Sequence, residues 1–463
     1  LDLFRKKSIE ELIRVSKRGR VLSKDLTAWD LTLLGIGAVI GTGIFVLTGT
    51  GAVTAGPGLV LSFVIAGVAA ALSALSYSEF ASMVPVSGSV YTYTYATLGE
   101  IIAWLVGWNL ILEYLLVTST VSVGWSGYFQ SLLKGVTGLE LPAALTAAPG
   151  GEGSLFNLPA FLVVILITFL LARGITESKR VNNIMVVIKT LVIILFIVVG
   201  INYVRPENWH PFFPFGTTGV FNAGALVFFA FVGFDAVAAA AEETKNPGRD
   251  LPRGIIYSLG ICTLLYVIVS AVMTGIVPYA KFEGVDHPVS LALSYAGLDW
   301  MAGIVNLGAI LGMTTVMLVM LYGQTRIFFS MSRDGLLPEF LSSVHPRFQT
   351  PFGATWFLGI IAALIGGLLP LERLAELVNI GTLTAFTFVS VGVLVLRKTE
   401  PELKRPFKVP FTPWIPLLAI LMNLFLMSRL DTITWTAFLI WVIIGVLIYF
   451  TFSRRHSNLN QEH

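Results

Sequence analysis

Runs of about twenty apolar residues, the length that crosses a bilayer as a helix, recur along this chain from residue 31 to residue 452. Hydrocarbon offers no hydrogen bonds, so each run must pair its own backbone groups, and runs this continuous do so as helices. Of 463 residues, 55% are hydrophobic and only 12% are charged, with a mean hydropathy of +0.82. Soluble domains carry about 25% charged residues. The chain therefore reads as an all-α integral membrane protein of twelve transmembrane helices. They are placed at 31–52, 58–82, 97–128, 157–173, 184–203, 219–242, 254–278, 303–331, 354–370, 374–396, 411–428 and 434–452. The third and eighth are long enough to tilt or protrude.

The basic residues follow this map. With residues 1–30 placed inside, the inner segments hold 25 Lys and Arg and the outer ones five: Lys134, Arg205, Lys281, Arg373 and Arg429. The positive-inside rule then predicts a multi-pass plasma-membrane protein with a cytoplasmic N-terminal segment (1–30) and a cytoplasmic tail (453–463). Residues 1–30 carry eight Lys or Arg and no apolar run before Leu31, unlike a secretory leader. Within them, Ile9–Arg18 reads either as an amphipathic surface helix or as a solvated tail. The single cysteine, Cys262, falls inside a span, so neither an internal disulfide nor a disulfide-linked partner is expected. The five histidines show no metal spacing and no Walker motif is present. No cofactor, metal, nucleic-acid partner or built-in ATP drive is expected.

Two spans contradict their own helicity. GIGAVIGTGIF, Gly35–Phe45, puts four glycines and a threonine into the first, where each glycine costs about 1 kcal/mol relative to alanine. Small residues there either permit close helix packing or mark an unwound segment at Gly41-Thr42-Gly43. The sixth span reads GALVFFAFVGFDAVAAAAEETKNPGRDLP, with Gly233 at its centre and Asp235 two residues on. Intramembrane carboxylates are costly and point to function. A second interrupted span five helices after the first is the pattern of an inverted-repeat transporter; no residue-level repeat is visible between the halves.

Other segments carry a resemblance. LLGIGAVIGTGIFVLTG, AGPGLVLSF, SYSEFASMVPVSGSVYTYTYATLGE, GWNLILEY, FVGFDAVAAAAEETKNPGRDLPRGI and RDGLLPEFLSSVHPRFQTP together resemble the amino acid–polyamine–organocation superfamily, specifically its cationic amino acid transporter branch. The likeness covers at least residues 25–410. Vertebrate members of that branch usually carry two further spans, so this chain resembles the shorter bacterial kind. The resemblance implies a sodium-symporter-like (5+5) fold, with inverted repeats at 31–203 and 219–396, two added spans at 411–452, and spans 1 and 6 discontinuous. It also implies a zwitterionic amino acid held between the two breaks. The carboxylate would face the amides of Thr42, Gly43 and Ile44, at a helix N-terminus that carries partial positive charge. The ammonium would face the carbonyls of Val39, Phe229 and Val232. Ile40, Gly41 and Gly233 complete the unwound backbone, and glycine lets main chain approach a ligand.

The remaining candidates are ionisable or aromatic. Lys189 in span 5 reads either as a snorkelling interfacial lysine or as a buried one. In the buried reading the resemblance places it where sodium-coupled relatives hold sodium, as a tethered cation carrying the coupled proton. Asp235 faces the substrate side chain or caps the broken half-helix. Glu113 in span 3 is a counter-charge for a cationic side chain, a proton carrier or a structural hydrogen-bonding group. Phe231 and Phe234 flank the second break, as packing residues or as a lid. Glu79 and Arg326 lie at inner span ends, Glu79 within a segment resembling the family's inner-loop gate motif. The expected function is non-enzymatic: proton-coupled import of small neutral L-amino acids such as alanine, with cationic ones also binding. An exchanger or polyamine transporter is the alternative, and a channel or membrane enzyme the different-class rival. Expected partners are the L-amino acid, the proton and membrane lipid; a small helical subunit is neither required nor excluded.

Overall fold

The computed structural model describes residues 3–7, 26–83, 89–150, 153–174, 179–235, 237, 240, 243–348 and 350–458. The Ile9–Arg18 segment and the centre of the inner-loop motif, 84–88, lie outside the described residues. Among those described, the fold is all-helical, with one isolated bridge between Leu26 and Thr244. Among the described residues, seven helical stretches are long and apolar enough to cross a membrane: 47–83, Glu100–Thr137, Arg180–Tyr203, Pro247–Ile276, Asp299–Arg333, Leu371–Thr399 and Thr432–His456. Five further apolar helices are shorter: Ala28–Val39, Leu158–Ala172, Gly216–Phe231, Phe352–Leu368 and Trp414–Met427.

The first span is divided. Helix α1 (Ala28–Val39) begins at a capping box, in which Thr27 Oγ1 accepts from the Asp30 amide and Asp30 Oδ2 accepts from the Thr27 amide at 2.9 Å. It ends at Ile40, whose backbone is extended (φ −73°, ψ 105°). Gly41 follows at φ −161°, ψ −137°, and helicity resumes in α2 (Thr42–Phe45) and α3 (Leu47–Ala55). Gly56 then turns the chain at φ +65°, a left-handed conformation that suits glycine, into α4 (Leu59–Met83). The sixth span divides similarly. Helix α9 (Gly216–Val227) tightens to a 3₁₀ turn over Phe228–Phe231, Val232 is extended, and Gly233 takes φ +113°.

Other elements surround these two. Helix α6 (Glu100–Thr137) packs along α12 (Asp299–Arg333) and α14 (Leu371–Thr399), while α10 (Pro247–Ile276) packs along α1 and α4. Small residues set the approach: a Cβ at Gly35 would lie 2.4 Å from Ser258 Oγ, and one at Gly254 2.5 Å from Leu31 Cβ. Such contacts substitute for the hydrophobic effect, which drives nothing between helices in lipid. The outer surface is correspondingly apolar, with Leu162, Leu166, Leu191, Val198, Leu264 and Ile443 all exposed.

Both described chain ends meet on one face. Lys7 Nζ lies 2.5 Å from Asp334 Oδ1, and the Asn458 amide donates to the Asp334 carbonyl at 3.1 Å. On α4, buried Glu79 accepts from Arg397 Nε at 3.0 Å and Nη2 at 2.6 Å, and from the Val409 amide at 2.7 Å, while Arg405 Nε lies 3.3 Å away. This ties the end of α4 to the end of α14. Removing one partner of a buried ion pair costs about 3–5 kcal/mol. Glu79→Gln should therefore lower the melting temperature in detergent, and an unchanged melt would show that the network contributes nothing.

Candidate substrate site

The two breaks touch. A Cβ at Gly43 would lie 2.3 Å from Ala230 Cα, and one at Gly233 2.9 Å from the Ala38 carbonyl oxygen. Beside this contact is a cavity of about 10 Å³, room for roughly one water. It is lined by Ala38, Val39, Gly41, Thr42 and Gly43 of the first break, and by Phe229 and Val232 of the second. Val117 and Val121 of α6 and Val316 and Met320 of α12 close it. A ligand larger than water enters only if these elements separate.

At its polar end the cavity holds the start of α2. The first amides of a helix have no intrahelical acceptor, and those of Thr42 and Gly43 have no backbone acceptor among the described residues. The Thr42 side chain is buried, and its hydroxyl has no hydrogen-bond partner among the described residues. Three expected backbone groups are engaged elsewhere. The Ile44 amide donates to the Gly41 carbonyl at 3.2 Å, because the new helix tightens at once. The Val39 carbonyl accepts from Tyr266 Oη at 3.0 Å, and the Phe229 carbonyl from the Val232 amide at 3.1 Å. Phe231 and Phe234 lie outside the lining. Phe231 packs edge-on against Tyr266 (5.4 Å between centroids), and Phe234 against Phe386 (4.9 Å) and Tyr77 (6.0 Å).

Lys189, on α8 (Lys179–Gly200), is fully buried rather than snorkelling. Its ammonium donates to the Gly37 carbonyl and, at 2.9 Å, to the Ile40 carbonyl. These are orphan acceptors of the last turn of α1, where the helix dipole favours a cation. Its stem lies against α12, and a Cβ at Gly312 would sit 3.1 Å from Lys189 Cδ. Lysine thus joins the broken end of α1 to α12. Glu113 and Asp235 are also buried but do not line the cavity. Asp235 lies beside Tyr114, the chain neighbour of Glu113: Tyr114 Oη lies 3.5 Å from Asp235 Oδ2.

Sequence reasoning missed Val117, Val121, Val316, Met320, Tyr114 and Tyr266. Val117 and Val121, like Val316 and Met320, are one helical turn apart. In a wholly apolar span that spacing does not say which face meets a cavity.

A profile described as amino acid permease matches residues 26–450. The chain belongs to the amino acid permease family. It is 65% identical to the branched-chain amino acid permease BcaP of Bacillus subtilis, over 99% of each chain. It is 55% identical to the methylthioribose transporter of the same organism, over 99% of this chain and 100% of the relative. It is 41% identical to the vacuolar cationic amino acid transporter 4 of Arabidopsis thaliana, over 87% of this chain and 68% of that one. The permease is thus a multi-pass membrane transport protein and not an enzyme.

Proposed function

We propose that this permease imports L-amino acids with small or branched apolar side chains, from alanine to isoleucine, together with a proton. The observation that carries the reading is the buried, unpartnered Thr42 hydroxyl beside the open amides of Thr42 and Gly43. Together they form a carboxylate acceptor whose surroundings, Val117, Val121, Val316 and Met320, are apolar. Unmet polar groups inside a membrane protein reward a ligand that meets them. The ammonium group would take the Val232 carbonyl. The name of the most similar of the three relatives, a branched-chain amino acid permease, agrees with such a lining.

In this reading the chain makes twelve spans: 28–39 and 42–55 are the two parts of the first, 59–83 is the second, and the remaining long and short apolar helices are the other ten. Residues 31–203 and 219–396 are inverted repeats, 411–452 are added spans, and both termini are cytoplasmic. The meeting of the described ends at Asp334 and the excess of basic residues on that face support this arrangement. Lys189 carries the coupled proton: charged, it holds α1 against α12, and neutral, it releases them.

A thermal-shift panel tests the substrate class. Alanine, valine and isoleucine should stabilise the purified protein, and arginine and methylthioribose should not. A cationic substrate is the second reading, favoured by two buried carboxylates, Glu113 and Asp235, the second within 3.5 Å of the Tyr114 hydroxyl. If it holds, arginine stabilises the protein and Glu113→Gln weakens arginine binding at least tenfold more than valine binding.

A further inference from the structure

A larger cavity, of about 340 Å³, lies one helical turn from the first. Leu34 lines it and Ala38, one turn on along α1, lines the smaller one; on α12, Val319 lines the larger and Met320 the smaller. The two are therefore stacked between the same pair of helices. The larger one lies toward the face where the chain ends meet, since α12 runs on from Arg326 to Arg333 and Asp334 there. Beside it, the Leu26 amide donates to the Glu243 carbonyl and the Lys245 amide to the Leu26 carbonyl, both at 3.0 Å, tying the start of α1 to residues 243–245.

Its volume falls within the range of small-molecule sites, about 300–1,000 Å³. Its lining carries both signs of charge. Arg326 stacks its guanidinium 4.2 Å from the Tyr322 ring centroid, and Glu243 and Asp30 line the same cavity. Asp30 Oδ2 is already committed to the cap of α1, which leaves Glu243 the better carboxylate for a ligand. Leu34, Leu171, Leu318 and Val319 supply apolar wall. A ligand with one positive group, one negative group and an apolar remainder matches this set; a simple anion or cation matches only part of it.

We propose that this cavity is a second, weaker binding site for zwitterionic α-amino acids on the release route, with Arg326 facing the carboxylate and Glu243 the ammonium. The proposal rests on the reading that the substrate is held between the breaks. Arg326 and Glu243 are exposed, so water and salt screen them. A low affinity follows, which suits a site the substrate must leave.

Equilibrium dialysis of the purified full-length protein with labelled L-valine tests this. The wild type should bind in two components, the weaker at least tenfold looser. The double variant Arg326→Gln/Glu243→Gln should lose the weak component and keep the tight one, with an unchanged melting temperature. Valine methyl ester, without a carboxylate, and the 2-keto acid, without an ammonium, should fail to displace valine from the weak site. A single component up to millimolar valine, or weak binding unaltered in the double variant, overturns the proposal. Failure of the break site has a different signature: Gly43→Ala would then bind valine tightly, whatever happens to the weak component.

Discussion

Gly43→Ala should weaken amino acid binding at least a hundredfold, while the protein still melts cooperatively in detergent. The added methyl would lie 2.3 Å from Ala230 Cα, 2.5 Å from its Cβ and 2.9 Å from its amide nitrogen. Two of these three atoms are backbone, so no rotamer change relieves the clash, and the two breaks must move apart. Overpacking of this kind costs about 1–3 kcal/mol, which a large membrane protein survives. The displacement carries the amides of Thr42 and Gly43 away from Phe229 and Val232, which line the same cavity. Two halves of a ligand site that no longer face each other lose most of their joint affinity. Gly43→Val should lose it completely. Wild-type affinity in Gly43→Ala, measured by dialysis, would show that the contact between the breaks has no part in binding.

Lys189→Met should abolish uptake driven by a pH gradient. It keeps the volume of the stem against Gly312 but removes the ammonium that satisfies the Gly37 and Ile40 carbonyls. A buried acceptor left without a donor costs about 1–3 kcal/mol, so α1 loses its hold on α8 and α12 and the melting temperature falls. Lys189→Arg separates charge from titration, because arginine keeps its proton at any working pH. That variant should still bind substrate where the larger head group is accommodated, and should not accumulate it. Proton-driven accumulation by Lys189→Met would remove Lys189 from the coupling mechanism.

Much of this arrangement was legible because membrane helices leave few reasons for a glycine or a charge at mid-span. Glycines at 41, 43 and 233 marked the breaks, and the structure bends the chain at Ile40–Gly41 and Val232–Gly233. Lys189 stood out as a cation inside an apolar run, though its two carbonyl partners, about 150 residues away in sequence, could not be read from it. The backbone bookkeeping was not legible. Which carbonyls stay open depends on whether the chain resumes as α-helix at once, as at Thr42, or tightens first, as at Phe228–Phe231. Tyr266 took the Val39 carbonyl from another helix altogether. The aromatic residues were left open between packing and a lid. Phe231 and Phe234 flank a break, but the turn of the chain there aims both rings into helix packing, and Phe229 reaches the cavity instead.

The most direct measurement is uptake of labelled L-valine by the purified permease in empty liposomes, with the outside at lower pH than the lumen and with no gradient. If the amino acid held between the breaks moves with a proton, valine accumulates above its external concentration under the gradient and only equilibrates without it. No net uptake into empty liposomes, with valine entering only when the lumen already holds amino acid, would contradict this and leave an obligate exchanger.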